Sequence, residues 1–148
     1  MTLTWLASYP KSGSTWVRAF LAAYQSFEPD LAAFDLTRVT RCSTSDSRAT
    51  FFADLAGKPY ESLSQSEIDA LRSQVQQRLA TSIDANIVVK THNARGMHGG
   101  FPLVDAAVTR RAVYLVRNPL DIVDSMADHA GLQIDGAIAL LGDRKSVV

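Results

Sequence analysis

"LTWLASYPKSGSTWVRAF" (residues 3–20) sets a short apolar run before a turn rich in proline, glycine and hydroxyls, and resumes as an apolar pattern of helical period. "LTWLAS" (3–8) reads as a buried strand, and "STWVRAFLAAYQSF" (14–27) as a helix with Val17, Phe20, Leu21 and Tyr24 at helical spacing. The stretch between them is poor core and poor linker, because Lys11 needs water or a counter-ion while Trp16 needs an apolar or stacking partner. Two readings fit. One is a plain strand-to-helix turn, punctuated by Pro10 and Gly13 and capped by Ser14 or Thr15. The other is an anion cradle, in which backbone N–H groups of the turn and of the first helical turn converge on a phosphate beside Lys11.

Working outward, strand-like and helix-like segments alternate, which predicts an α/β fold with a parallel sheet flanked by helices. Residues 37–50, "TRVTRCSTSDSRAT", read as an exposed loop. Ser64 and Glu67 have capping-box spacing ahead of a helix whose Ile68, Leu71, Val75 and Leu79 share a packing face. "NIVVK" (86–90) and "RAVYLVR" (111–117) are two further buried-strand candidates. "NPLDIVDSMADHAG" (118–131) opens a helix, with Asn118 as N-cap, Pro119 at the first helical position and Asp121 in the first turn.

Three strands thus run into Lys11, Lys90 and Arg117. In an open parallel sheet the carboxyl ends of the strands form the edge where ligands bind, so these cations and two helix N-termini make a local positive site. Any one of them alone reads as a solvated surface charge. The locality matters because the 148-residue chain has 15 basic and 15 acidic residues, so no overall field draws it to nucleic acid or to an anionic membrane. At 47% hydrophobic it can bury a real core as a single domain. The lone Cys42 forms no internal disulfide, no apolar run is long enough to span a bilayer, and no signal peptide opens the chain, so a cytoplasmic location is expected.

The phosphate loop of nucleoside triphosphatases places its lysine near the end of the loop and adds an acid that holds magnesium. Here Lys11 comes before Gly13 and neither later strand ends in an acid, so lysines neutralise the anion and no metal is expected. "YPKSGSTW" (9–16) resembles the 5′-phosphosulfate loop of the cytosolic-type sulfotransferases, which use 3′-phosphoadenosine 5′-phosphosulfate (PAPS). "VVKTHN" (88–93) is similar to that family's strand bearing a lysine and a catalytic histidine, and "YLVRNPLDIVDSMADH" (114–129) to its 3′-phosphate segment, an arginine followed eight residues later by a serine.

The resemblance implies a P-loop-like fold and sulfuryl transfer from PAPS to a hydroxyl or amine of a small-molecule acceptor. It implies donor binding by Lys11, Ser12, Gly13, Ser14, Thr15, Trp16, Arg117 and Ser125, with Trp16 at the adenine and Ser14 where threonine is common. Lys11 and Lys90 would stabilise charge, and His92 would be the general base. The family's chains continue into a later glycine-rich basic motif, so residues 1–148 are expected to form one domain lacking its C-terminal part and to expose apolar surface that favours a homo-oligomer. A non-catalytic nucleotide-binding module and a nucleotide kinase are the alternatives. His98 and His129 read as structural, though the glycine-rich loop of His98 could border the acceptor. Trp5 is expected in the core, and Phe51, Phe52 and Tyr60 in the core in preference to the alternative, an apolar acceptor pocket.

Overall fold

The computed structural model describes residues 2–26, 35, 37–84 and 86–142. The chain runs β1 (Leu3–Ser8), α1 (Ser14–Ser26), α2 (Arg38–Cys42), β2 (Ser43–Ser45), α3 (Ala49–Ala56), α4 (Gln65–Ser82), β3 (Val88–Thr91), a small antiparallel pair β4 (Met97–His98) and β5 (Phe101–Pro102), β6 (Thr109–Leu115), α5 (Pro119–Ala130) and α6 (Ile134–Gly142). Four strands form one parallel sheet in the order β2-β3-β1-β6. The expected α/β architecture with a strand–loop–helix start is therefore present, and β1 occupies a central position.

Alternation along β1 assigns its side chains to the two faces of the sheet. Leu3 and Trp5 join Val89 of β3, Phe52 of α3, and Val75, Leu79 and Ala80 of α4 in the main core. Trp5 is 1% exposed, and its indole Nε1 donates to Thr109 Oγ1 at 2.9 Å, fastening β1 to the start of β6. Ile122, Met126 and Ala127 of α5 pack with Ala137 of α6 in a second cluster. Each large apolar side chain fully buried this way contributes about 1.5–3 kcal/mol.

The helix starts follow their local chemistry. Ser64 Oγ accepts from the Glu67 backbone N–H while Glu67 Oε2 accepts from the Ser64 N–H, so α4 begins with the capping box its sequence announces. Asn118 caps α5 by accepting from the Leu120 N–H, with Pro119 in the first turn. The helix expected over 14–27 is α1, and its last expected residue lies outside the described residues.

Two expectations are corrected. Residues 37–50 are not simply a loop, for they contain α2 and β2. No apolar period marks β2; it exists because Ser43, Thr44 and Ser45 pair in register with Val88, Val89 and Lys90. Strand β6 is an edge strand rather than a buried one, and Val113 and Tyr114 are exposed. On α1, Phe20 and Tyr24 likewise face solvent, stacked on each other at 6.2 Å, while Ala22 is buried.

Candidate functional site

Beyond the carboxyl end of β1, the Ser12 N–H donates to the Tyr9 carbonyl at 3.2 Å and closes a tight turn. Lys11, third in that turn, has φ +66°, and Gly13 has φ +99°. Glycine adopts such angles freely, whereas a lysine held there stores about 1–3 kcal/mol of strain, a feature that concentrates at functional sites. The Gly13 carbonyl then accepts from the Val17 N–H and α1 begins.

These reversals separate the loop side chains. Lys11, Gly13, Ser14, Thr15 and Trp16 line a cleft of about 370 Å³, whose other walls are Lys90 and His92 from the end of β3, Arg117 after β6, and Ser125 and His129 on α5. Every residue the sequence nominates as catalytic or donor-binding lies in this cleft except Ser12. The Ser12 side chain instead lines a neighbouring cavity of about 260 Å³ with Tyr9 and Ile122, and its buried Oγ has no hydrogen-bond partner among the described residues. Its backbone N–H is already committed to Tyr9.

Charge in the cleft is one-sided. Among the described residues, Lys11, Lys90 and Arg117 line it and no carboxylate does. Arg117 Nη1 donates to the Lys11 carbonyl at 3.3 Å, tying the loop to the end of β6. Lys90 is half-buried, and burial, followed by the charge of Arg18, lowers its pKa, with Asp46 opposing. A fixed cluster of cations next to a helix N-terminus fits a doubly anionic ligand, and Trp16, 82% exposed on the cleft wall, presents a flat apolar ring.

His92 is held in one tautomer. Its Nδ1–H donates to the Ser8 carbonyl at 2.7 Å, which leaves Nε2 as the proton-accepting nitrogen. Burial lowers its pKa from the usual value, the bond to Ser8 opposes this, and the nearby Lys90 charge adds to the lowering. Burial and the Lys90 charge thus favour the neutral imidazole, the form that can accept a proton.

Sequence reasoning missed three participants. His129 lines the cleft one helical turn beyond Ser125, a spacing that could have flagged it. Arg18 stands one turn beyond Ser14 and influences Lys90. Asp46, in the segment read as a loop, is buried, and its Oδ2 accepts from Thr91 Oγ1 at 3.0 Å and Asn93 Nδ2 at 3.1 Å, bracing the residues on either side of His92. His98 pairs with buried Asp69 at 2.6 Å and is not a lining residue of the cleft. Phe52 and Tyr60 meet edge-on in the core with Phe51 packed beside them, as expected.

A family model described as "Sulfotransferase domain" matches residues 2–133. No curated protein and no solved structure matches the chain.

Proposed function

Since the chain belongs to the sulfotransferase domain family, we propose that its cleft binds PAPS and transfers the sulfuryl group to a hydroxyl or amine of a small-molecule acceptor. The observation that carries this reading is the convergence of Lys11, Lys90, His92, Arg117 and Ser125, from three separate segments, on one cleft with no acid among its described lining residues.

Each residue then has a defined task. His92 Nε2 takes the acceptor proton as the acceptor oxygen or nitrogen bonds to sulfur. The bond from sulfur to the bridging phosphate oxygen breaks, and adenosine 3′,5′-bisphosphate leaves with the electron pair. Lys11 stabilises that leaving oxygen, and Lys90 the oxygens of the group in transit; fixed charges aimed at developing charge lower the barrier. Ser14 and Thr15, with the N–H groups of the helix start, hold the 5′ end, Trp16 stacks on the adenine, and Arg117 with Ser125 holds the 3′-phosphate. Among the described residues, no acid that could hold magnesium in a nucleotide kinase lines the cleft.

Calorimetric titration with adenosine 3′,5′-bisphosphate and with ATP–Mg²⁺ tests the assignment. The bisphosphate should bind in preference, and preference for ATP would point to a kinase. Lys11→Ala should leave the fold intact, because the side chain is no part of either core, and should weaken bisphosphate binding. Unchanged affinity in the folded variant would remove Lys11 from the site. Arg117 should make binding depend on the 3′-phosphate, because a charged hydrogen-bond partner is worth about 10- to 150-fold in affinity. Wild type should prefer the bisphosphate over adenosine 5′-phosphate by such a factor and Arg117→Ala should lose the preference. Equal binding of both nucleotides by wild type would refute the 3′ assignment.

A further inference from the structure

Beside the cleft, on the α1 side of the sheet, lies a polar pocket of about 220 Å³ lined by Arg18, Arg48, Thr40, Ser43, Ser45 and Ser47 among others. Ser45 of the pocket pairs in register with Lys90 of the cleft, so one lining residue of each stands on neighbouring strands, whose backbones lie roughly 4.8 Å apart. Arg18 lines the pocket from α1, one helical turn after Ser14 of the cleft, and its charge acts on Lys90. Its Nε donates to Ser43 Oγ at 2.7 Å, and that hydroxyl donates onward to the Val39 carbonyl at 2.7 Å. The guanidinium is thereby oriented, and its terminal nitrogens have no hydrogen-bond partner among the described residues.

Neither arginine has a carboxylate partner among the described residues. The acid closest in sequence, Asp46, is buried against Thr91 and Asn93 instead. Arg48 rests over the Phe51 ring, 5.9 Å from its centroid, which holds the side chain without neutralising it. A half-buried guanidinium without a counter-ion is costly, and here it faces hydroxyl donors in place of an acid. An oxyanion completes such a site, because a planar guanidinium and adjacent hydroxyls match its geometry.

We propose that this pocket is an anion subsite for the acceptor, taking a carboxylate or sulfate already carried by the molecule whose hydroxyl or amine reaches His92. This rests on the sulfotransfer reading of the adjoining cleft and adds the substrate class to it: acidic acceptors.

The test is a set of para-hydroxy acids of increasing reach, hydroxybenzoate, hydroxyphenylacetate and hydroxyphenylpropionate, each compared with its neutral amide. Binding is followed by titration calorimetry in the presence and absence of adenosine 3′,5′-bisphosphate. At least one acid should bind about 10-fold or more tightly than its amide, the lower end of a charged hydrogen bond. Inorganic sulfate should displace that acid and leave the amide bound. Arg48→Gln, at an exposed position, should erase most of the preference with bisphosphate affinity unchanged. Equal affinity for every acid and its amide, a preference that survives Arg48→Gln, or an acid that sulfate fails to displace overturns the proposal. Bisphosphate binding without an acid preference overturns the pocket alone, whereas an acid preference without bisphosphate binding supports the pocket and overturns the donor reading.

Discussion

His92→Ala should slow sulfuryl transfer by roughly 10²- to 10⁴-fold while leaving bisphosphate affinity little changed, because a positioned base acts on the acceptor proton and not on the donor. The geometry makes the direction of the pH dependence explicit. Only neutral His92 can accept the proton, and burial together with the Lys90 charge disfavours the protonated form. The acid limb of kcat/KM should therefore fall below the usual imidazole value of about 6.5, with the rate flat above it. Removal of the imidazole should abolish that limb as well as the rate. The measurement is transfer from radiolabelled PAPS to an acceptor panel across pH for both proteins. A variant as fast as wild type would strip His92 of its role, and a limb rising above the usual value would contradict the environment described for it.

How much of this was legible beforehand depends on where each feature draws its stability. The capping box at Ser64, the Asn118-Pro119 helix start and the strand before the loop are set by neighbours in sequence, and they stand where the pattern puts them. Strand β2 draws on a partner more than 40 residues away, Ser43 to Ser45 against Val88 to Lys90, so three hydroxyl residues gave no local sign of it. Edge position is equally invisible: the apolar run of β6 reads as a buried strand, yet among the described residues only β1 lies beside it.

The same distinction runs through the site. Lys11, Lys90 and Arg117 could be placed together because each stands at or just beyond the carboxyl end of a strand of one parallel sheet. The turn that swings Ser12 away from the cleft could not, since Lys11 adopts a backbone angle that lysine rarely takes. Arg18 and Asp46 act through Lys90 and the strand end of β3, contacts that arise only once α1 and β2 have docked. His129 was one helical turn from a nominated serine and was still set aside, because the cleft that gives it meaning is a tertiary feature.

Lys90→Met separates what the cleft does for the fold from what it does for the reaction. Lys90 is half-buried beside Arg18, and both its burial and that neighbour lower its pKa, so the folded state gains little from the ammonium. Methionine keeps most of the side-chain volume, removes the repulsion, and gives up only the opposing attraction of Asp46. The thermal midpoint should therefore hold or rise. Transfer should fall by roughly 10²- to 10³-fold in kcat, the usual cost of losing one group aimed at charge that develops in the transition state. This is the stability–activity trade-off expected of a site built from mutually repelling cations. Because Arg18 and Arg48 of the pocket stay in place, affinity for the acidic acceptors should survive the change. The paired measurements are a melting curve and a single-turnover transfer rate on the same preparation. A large drop in the midpoint would mean that Lys90 holds the fold together, and a rate within a few-fold of wild type would mean that Lys11 alone carries the charge stabilisation.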